Sequence, residues 1–349
     1  RKGAYASALR LITEKNPLPF ITGTICAHNC MTKCMRNYYD EPVNIRATKL
    51  VAAEKGYDAY MSKITPPAPV TDGRKVAVIG GGPTGMSAAY FVGRAGIPVT
   101  LFEKADRLGG IVRQVIPAFR ISDEAIDKDV ALMEKMGVEV KLNTEAPSVA
   151  ELKAQGYTHI FFAVGAGKAG KLDIPGNVVP VIQWLRDLKA GKEVSLGHVA
   201  VVGGGNTAMD AARAALRAGA KTSTLVYRRT KKYMPADAEE LELAVEDGVR
   251  FLELVAPVEQ ANGKLKCEVM KLGDPDEKGR RSPVPTGEFT EINCDTVIAA
   301  VGERVDSDLF TANGIEVKIP TELLNSDSEL EFLHDPDGSV SLLIKNVIL

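Results

Sequence analysis

Two glycine-rich turns with similar spacing are the residues of this sequence best suited to chemistry. The first turn carries Gly80, Gly82 and Gly85 in the pattern G-x-G-x-x-G, directly after the apolar run Val76–Ile79. Such a turn lets a pyrophosphate approach the backbone, and the N–H groups at the start of the following helix attract its charge. Glu103 stands 18 residues after Gly85, where a carboxylate can accept hydrogen bonds from ribose hydroxyls. The pattern predicts a dinucleotide site.

The second turn differs from the first in how its closing strand ends. It carries Gly203, Gly205 and Ala208 in the pattern G-x-G-x-x-A, and its closing strand ends in Arg228-Arg229, where the first copy has an acid. Guanidinium groups can bind a 2′-phosphate through paired hydrogen bonds, whereas a carboxylate repels it. The sequence therefore predicts NADPH rather than NADH at this copy. A solvated basic loop is the alternative reading of the two arginines.

Neighbouring residues extend both predicted sites. Asn206 and Thr207 stand at the start of the second helix, where their side chains can cap the helix or meet a phosphate. The further residues predicted to contact the cofactors are Pro83, Thr84, Lys104, Gly204, Asn206, Thr207 and Gly302, with Lys231 and Lys232 as helpers beside the arginines.

Three cysteines, Cys26, Cys30 and Cys34, stand within nine residues of each other. In a cytoplasmic protein such a group favours metal or iron–sulfur ligation over disulfides. An iron–sulfur cluster normally takes four thiolates, and only three are clustered here. A zinc site with His28 as fourth ligand, or thiols of purely structural role, are the alternatives.

The remaining cysteines argue against a disulfide reductase. Such an enzyme needs a redox-active cysteine pair beside its flavin, but residues 35–266 contain no cysteine. Cys267 and Cys294 fall in predicted strands and are interpreted as buried core thiols.

Composition narrows the class of protein. The 349 residues allow about two to three domains, and 45% hydrophobic residues with a net charge of −2 argue against nucleic acid or an anionic membrane as the main partner. No apolar run approaches the roughly 20 residues that span a bilayer, and no signal peptide is visible, so a cytoplasmic location is expected. The sequence starts without methionine and ends on an apolar run, and we expect both ends to be cuts through a longer protein.

Composition also suggests where domains begin and end. Residues 1–63 are helix-compatible and contain the clustered cysteines, and residues 64–74 form a proline-rich linker. A first nucleotide-binding domain is expected over 75–170 and a second over 171–300. The run VIAAVG, ending at Gly302, echoes FFAVG, ending at Gly165, which predicts that 301–349 returns to the first domain.

Hydrophobic patterning predicts the elements between these motifs. We expect helices over Asp123–Met136 and Asp237–Glu246, loops over 108–120 and Asp274–Gly287, and strands over Val138–Leu142, His159–Val164, Val199–Val202, Thr224–Tyr227, Leu265–Leu272 and Glu291–Ala300.

Taken together, the motifs resemble a known family, which contains the small subunit of NADPH-dependent glutamate synthase and the flavin-carrying half of dihydropyrimidine dehydrogenase. The resemblance rests on TGTICAHNCMTKC, EPVNI, VIGGGPTGMSAAY, EKADRLGGIVRQVIPAFRI, FFAVGAGK, VVGGGNTAMD, VYRRTKKYMPA and VIAAVGE, which follow the family's order over nearly the whole chain. Within the family, the sequence is most similar to the selenate-reductase-type iron–sulfur subunits.

The resemblance implies an α/β fold with two Rossmann-like dinucleotide-binding domains, one inserted in the other, preceded by an α-helical Fe–S domain. The first domain would bind FAD and the second NADPH. It further implies that hydride passes from NADPH to FAD, and electrons then pass through [4Fe–4S] clusters to an acceptor domain or subunit outside this chain. An assembly of like or unlike subunits is compatible with this role.

The resemblance also assigns roles to individual residues. Cys26 and Cys30 would serve one cluster and Cys34 a second, with the remaining ligands supplied from upstream of the chain. Arg120 would lie beside the flavin, and Gly109 and Gly110 would allow its close approach.

The sequence departs from the family pattern at three places. Lys49 stands where the family often has a Glu or Gln ligand, and Asn206 replaces a common Asp. The family's C-terminal Gly-Asp segment, which contacts the flavin, is not recognisable before Leu349. The missing flavin segment keeps open an alternative role as a non-catalytic binding or assembly subunit with remnant Rossmann domains.

Overall fold

A computed structural model of the chain describes residues 3–276, 279, 281–315, 331–334 and 340–343. The described residues divide into two compact units, one drawn from 1–113, 118–167 and 305–349 and the other from 114–117 and 168–304. The predicted α/β fold class is confirmed. The predicted domain limits stay a prediction. In the described part of the chain, no helix is both long and apolar enough to cross a membrane.

The N-terminal region of the first unit is helical. Its longest helix begins after Asn44, whose side chain accepts a hydrogen bond from the N–H of Ala47 and so satisfies one of the free N–H groups of the first turn. Residues 64–74, the predicted linker, contain no helix or strand. The region comprises α1 (Tyr5–Thr13), α2 (Pro19–Ile25), α3 (Asn29–Thr32) and α4 (Ile45–Met61), with a 3-10 turn at Met35–Tyr38.

A four-stranded parallel sheet follows in the same unit. Its central strands are buried on both faces, as expected of short branched runs between helices. The elements are β1 (Val76–Ile79), α5 (Pro83–Arg94), β2 (Val99–Phe102), α6 (Gly110–Gln114), α7 (Asp123–Glu134), β3 (Glu139–Lys141), α8 (Val149–Ala154) and β4 (His159–Phe162), with strand order β3-β2-β1-β4. The predicted loop over 108–120 is wrong in part, because it contains α6.

The second unit repeats the arrangement around a five-stranded parallel sheet and adds a three-stranded antiparallel sheet. Its elements are β5 (Lys168–Ala169), β6 (Val178–Pro180), α9 (Val181–Lys189), β7 (His198–Val202), α10 (Asn206–Arg217), β8 (Thr222–Tyr227), a 3-10 turn (Lys231–Tyr233), α11 (Ala238–Glu246), β9 (Arg250–Glu253), β10 (Val255–Ala261), β11 (Lys264–Pro275), β12 (Arg281–Asn293), β13 (Thr296–Ala299) and β14 (Glu303–Arg304). The strand order is β6-β13-β7-β8-β9 in the parallel sheet and β10-β11-β12 in the antiparallel sheet.

Two predictions for this unit are wrong. The segment Asp274–Gly287, expected to be a loop, supplies the end of β11 and the first half of β12, which pair as a long antiparallel ribbon. The single strand expected over Glu291–Ala300 is two strands, because the chain leaves β12 after Asn293 and joins the parallel sheet as β13.

The chain then returns to the first unit. In α12 (Ser307–Ala312), Phe310 packs on Phe162 with ring centroids 5.4 Å apart. Asn313, directly after α12, accepts a hydrogen bond from the N–H of Val149 at 2.9 Å. A last pair of strands is β15 (Glu331–His334) and β16 (Val340–Leu343). The rest of the predicted return segment 301–349, from 316 to 330, 335 to 339 and 344 to 349, lies outside the described residues.

Candidate functional site

The first glycine of each turn lies against the end of a neighbouring strand. Gly80 has a φ of +104°, and a Cβ built on it would lie 2.4 Å from the carbonyl oxygen of Ala163. Gly203 has a φ of +154°, and its Cβ would lie 2.2 Å from the carbonyl oxygen of Ala300. Only glycine fits either place without strain. The echo between FFAVG and VIAAVG therefore has a structural counterpart, because each copy closes the same contact.

Glu103 is fixed at the end of β2 by two backbone donors. Its carboxylate is buried and accepts the N–H of Gly81 at 2.6 Å and the N–H of Ala105 at 2.8 Å, one on each oxygen. A carboxylate has lone pairs for about four hydrogen bonds, so both oxygens can accept more. The position and remaining capacity fit a ribose of FAD beside the first glycine turn.

A second pair of glycines supports the same turn. The N–H of Gly109 donates to the carbonyl oxygen of Gly81 at 2.8 Å, and a Cβ on Gly110 would lie 2.7 Å from the Cα of Gly82. A side chain on Gly110 does not fit between these backbones. We therefore infer that Gly109 and Gly110 hold the turn in shape, in addition to the predicted approach of the flavin.

Sequence reasoning missed the charged group that holds the backbone just before these glycines. The guanidinium of Arg113, nearly buried, donates to the carbonyl oxygen of Leu108 and to the carboxylate of Asp127 at 2.5 Å. Arg107 donates to Asp127 as well, at 3.1 Å. The signal in the sequence was an arginine three residues after the glycine pair, but its acidic partner comes from the following helix.

The other predicted first-site residues lie at different places in the first unit. Pro83 and Thr84 are the first two residues of α5. Lys104 follows Glu103 directly and its side chain is exposed, whereas Arg120 is half-buried two residues before Ser122, the cap of α7.

In the second turn, Asn206 does not cap its helix as expected. No side chain caps α10, and the amide of Asn206 instead pairs with Asp237: Nδ2 donates to Oδ2 at 3.3 Å and Oδ1 accepts the N–H of Asp237 at 3.0 Å. Thr207 occupies the next position of the helix. A Cβ built on Gly205 meets no atom within 4 Å, which leaves room for a phosphate.

The segment after β8 is folded back onto the second turn. The N–H of Ala236 donates to the carbonyl oxygen of Gly204 at 3.0 Å, and Tyr227 Oη donates to the carbonyl oxygen of Tyr233 at 2.6 Å. The N–H of Lys231 donates to Glu253 at 2.8 Å. Residues 228–236, which we call the basic strap, are thus anchored to the glycine turn rather than free in solvent.

The two arginines of the basic strap differ in environment. Arg228 is exposed, whereas Arg229 is half-buried and its Nε is a buried donor with no hydrogen-bond partner among the described residues. A buried guanidinium donor without an acceptor is costly, and a ligand oxygen would satisfy it. The donor fits the 2′-phosphate of NADPH. Lys231 and Lys232 are exposed, and Lys231 Nζ lies 3.8 Å from Glu242.

The remaining predicted residue, Gly302, follows β13. It is exposed, has a φ of +99°, and its carbonyl oxygen accepts the N–H of Gly170 at 2.7 Å.

The three clustered cysteines lie in or next to three consecutive short helical segments. Cys26 follows α2, Cys30 lies in α3, and Cys34 precedes the 3-10 turn. Backbone hydrogen bonds at Val43 and Arg36 lower the pKa of the Cys34 thiol. Among the described residues, no three His, Cys, Asp or Glu side chains gather into a metal site. Thiols are the ligands that Fe–S clusters take, and the set in this chain is incomplete.

The other two cysteines are core thiols of the second unit. Cys267 and Cys294 are 0% exposed, and burial raises their pKa values to about 12 and about 11. Cys267 lies in β11 as predicted, whereas Cys294 lies between β12 and β13 rather than within a strand.

We expect Cys267 and Cys294 to escape iodoacetamide in the folded protein at about pH 8. Their thiolate fraction is at least roughly 100-fold lower than that of an unperturbed cysteine, and burial blocks the reagent as well. Mass spectrometry of peptides from cluster-free protein measures this, with exposed Cys30 as the reactive control. Both residues should react after unfolding in guanidinium. Labelling of either in the folded protein at the rate of Cys30 would contradict the core assignment.

Comparison with known proteins places the chain in a family. The family model described as Pyridine nucleotide-disulphide oxidoreductase matches residues 74–327, and the model described as Dihydropyrimidine dehydrogenase domain II, 4Fe-4S cluster, matches residues 1–59. The first match covers both glycine turns, and the second covers all three clustered cysteines.

Individual relatives agree with these matches. The chain is 45% identical over 318 residues to the "Putative oxidoreductase YgfK" of Escherichia coli (strain K12), covering 89% of this chain but only 31% of that protein. It is 32% identical over 356 residues to the glutamate synthase [NADPH] small chain of Halomonas elongata, covering 92% of this chain and 74% of that one.

A solved structure shows the same fold. FprA of Mycobacterium tuberculosis in complex with NADPH has a TM-score of 0.57 and 19% identity, over 67% of this chain and 71% of that one. The family resemblance seen in the motifs is confirmed. The cofactors expected from the sequence, FAD, NADPH and a [4Fe–4S] cluster with an incomplete ligand set in this chain, agree with these matches, and the chain belongs to the pyridine nucleotide-disulphide oxidoreductases, together with the glutamate synthase small chains.

Proposed function

We propose that this chain is the electron-input part of a larger enzyme. NADPH binds at the turn Gly203–Thr207 with Arg228 and Arg229, and FAD binds at the turn Gly80–Gly85 with Glu103. With FAD bound, a hydride can be taken up as an electron pair and the electrons released singly, which is the flavin's own chemistry. The residues of the chain bind and orient the two nucleotides, and Cys26, Cys30 and Cys34 contribute ligands on the exit path.

The contrast between the two strand ends carries the proposal. Glu103 directly follows β2 as a buried acceptor held by two backbone N–H groups, and Arg229 lies two residues after β8 with a buried donor that has no partner among the described residues. A carboxylate accepts hydrogen bonds from ribose hydroxyls and repels a 2′-phosphate. A guanidinium attracts a 2′-phosphate and donates hydrogen bonds to it. The two similar turns therefore suit different nucleotides, and the nucleotide that carries a 2′-phosphate binds at the second turn, beside the arginines that follow β8.

Two observations support an acceptor outside the chain. The chain spans 31% of one relative, and another relative is named as the small chain of glutamate synthase, which implies a second chain there. Cys267 and Cys294, the cysteines outside the N-terminal group, are buried core thiols with raised pKa values and unsuited to disulfide reduction. We infer that the electrons leave through the N-terminal helices to a separate domain or subunit. The cytoplasmic location expected from the sequence is part of this proposal.

Anaerobic purification of the full-length protein tests this function. We expect bound flavin, iron and sulfide, and NADPH oxidation with an artificial electron acceptor that exceeds NADH oxidation by at least about tenfold, because only NADPH reaches the arginines with a 2′-phosphate. Absorbance spectra, metal analysis and initial rates are the measurements.

One alternative outcome is specific. Protein that lacks flavin and oxidises no NADPH after FAD is added would contradict the proposal and favour the non-catalytic binding or assembly subunit. A faster reaction with NADH would refute the assignment of the arginines while leaving the electron-input role intact.

A further inference from the structure

The N-terminal helices pack on two helices of the first nucleotide-binding region, within one compact unit. The contact has a polar framework. On one side, Tyr90 Oη in α5 donates to the carbonyl oxygen of Thr13 at 3.3 Å. On the other, Tyr57 Oη in α4 donates to the carbonyl oxygen of Lys128 in α7 at 3.0 Å. We call this contact the helical seam.

Asp129 of α7 is the one carboxyl group buried completely among the described residues of the helical seam, with 0% exposure. Its Oδ1 accepts the N–H of Phe20 at 3.1 Å, and its Oδ2 accepts the N–H of Ile21 at 2.7 Å. These N–H groups belong to the first turn of α2, where the helix has no acceptors of its own. The N-cap residue of α2 is Leu18, which has no polar side chain. Asp129 therefore caps α2 from more than 100 residues further along the chain.

The capped helix leads directly to a cluster ligand. Ile25 is the last residue of α2 and Cys26 follows it. A Cβ on Gly23 would lie 3.1 Å from the Cβ of Leu50 in α4, so α2 and α4 are in close contact. Beyond the helix end, Arg46 Nη1 donates to the carbonyl oxygen of Cys26 at 3.3 Å. A shift of α2 would therefore carry Cys26 with it.

Burying a carboxyl group in the helical seam costs free energy. Burial raises the pKa of Asp129 to about 8, and the two backbone donors oppose that rise. A polar N-cap at position 18 with an apolar side chain at position 129 would satisfy one N–H of α2 and avoid burying a carboxyl group. What that arrangement would lose is a directional link between α7 and α2. Two hydrogen bonds to adjacent N–H groups fix both the position and the axial rotation of the helix.

We propose that Asp129 is a positioning residue for electron exit, which holds α2, and with it Cys26 directly after its end, at a fixed place on the FAD-binding region. The inference rests on the proposed function, because it assumes that electrons leave the flavin toward Cys26. Asp129 touches neither nucleotide turn, so its loss should leave the reduction of flavin by NADPH unchanged.

The test uses full-length protein with its flavin and clusters, mixed rapidly with NADPH under anaerobic conditions. In Asp129→Asn, one acceptor oxygen is replaced by an NH₂ group that faces a backbone N–H, so α2 loses at least one anchor. We expect flavin reduction at the wild-type rate and cluster reduction slowed on the order of tenfold, since small displacements strongly affect transfer between fixed groups. Tyr57→Phe is the matched control: it removes a hydrogen bond from the same seam and keeps the ring that packs on Phe20.

Hydrogen exchange gives a second readout that needs no electron transfer. The amides of Phe20 and Ile21 should exchange roughly 10- to 100-fold faster in Asp129→Asn than in wild type, and at the wild-type rate in Tyr57→Phe. Faster exchange with unchanged cluster reduction overturns the positioning role, and unchanged exchange overturns the anchor itself.

Failure of the proposed function is distinguishable from failure of this inference. If NADPH does not reduce the flavin of the wild-type protein, the proposed function fails, and the electron-exit role of Asp129 fails with it. If flavin is reduced and only the Asp129→Asn effects are missing, the inference alone fails. Should Asp129→Asn not fold, wild-type exchange decides: Phe20 and Ile21 amides as fast as those of the linker 64–74 would overturn the anchor, and protection equal to that of the core of α4 would support it.

Discussion

Replacing Gly85 with alanine is expected to abolish FAD binding and to destabilise the fold. A Cβ at this position would lie 1.8 Å from the carbonyl oxygen of Gly80 and 3.3 Å from the Cβ of Ala163. The clashing atom is backbone and is held by the turn, so it cannot move aside as a flexible side chain would. Overpacking of this kind typically costs about 1–3 kcal/mol, and we expect the upper end of that range here. The displaced turn can no longer present its N–H groups to a pyrophosphate.

Gly82→Ala is the matched control, because it separates the fold from the ligand. A Cβ on Gly82 would have only the Cα of Gly110 within 4 Å, at 3.9 Å, which is ordinary van der Waals contact. The free energy of unfolding of the flavin-free protein should therefore change by less than about 0.5 kcal/mol. FAD affinity should still fall by at least about tenfold, because the second glycine is where a pyrophosphate approaches the backbone.

Chemical denaturation of the flavin-free protein and FAD titration followed by flavin absorbance measure these two effects. The expected pattern is loss of both stability and binding in Gly85→Ala, and loss of binding alone in Gly82→Ala. FAD affinity equal to wild type in Gly82→Ala would show that the pyrophosphate does not pass over this turn. The equivalent third position of the second turn is Ala208, which already accommodates a Cβ and shows that the restriction at Gly85 is local.

The parts of the fold that could be predicted are those whose cause is local. Val76–Ile79 is buried on both faces, and its apolar run is continuous, so the sequence alone identifies the strand. The glycine turns are similarly local, because positive φ at Gly80 or close approach at Gly85 can be met by one residue type. At such positions the residue type alone predicts the local backbone conformation.

The antiparallel ribbon was missed for the opposite reason. All residues of β12 (Arg281–Asn293) are exposed or only partly buried, so the strand lacks the alternation of apolar and polar residues that marks a half-buried strand. Its proline and glycine residues point to a loop. The segment is a strand because it pairs with β11, and its own residues do not predict that pairing.

Within the candidate sites, the contacts that escaped prediction join distant positions. The sequence predicts a cap or a phosphate contact for Asn206, but its amide is paired with Asp237, 31 residues away. Arg113 and Asp129 likewise find partners on other elements. A polar side chain near a motif could be named from the sequence, but its partner depends on how helices pack, which spacing does not encode.

The arginine pair provides the second large effect. In Arg228→Ala/Arg229→Ala, we expect kcat/KM for NADPH to fall about 100-fold while kcat/KM for NADH changes by less than about twofold. Charge-assisted hydrogen bonds to a phosphate are worth about 1.5–3 kcal/mol, which corresponds to roughly 10- to 150-fold. NADH has no 2′-phosphate and gains nothing from either side chain.

The single variants should be unequal. Arg229 has a buried Nε without a partner among the described residues, whereas Arg228 is exposed and its charge is screened by solvent. Arg229→Ala should therefore account for most of the loss. Arg250→Ala is the control, since it removes the same charge from an exposed residue at the start of β9, the opposite end of the neighbouring parallel strand.

Steady-state rates with both nucleotides and an artificial acceptor, at low and high salt, distinguish a bound phosphate from general attraction. A contact that buries the guanidinium should persist at high salt, whereas attraction to an exposed basic strap fades as the Debye length shortens. If the double variant keeps its preference for NADPH, the basic strap is a solvated loop and the 2′-phosphate is recognised elsewhere. If Arg250→Ala lowers the rate as much as Arg229→Ala, the effect is one of net charge, and the assignment of Arg229 to the 2′-phosphate is wrong.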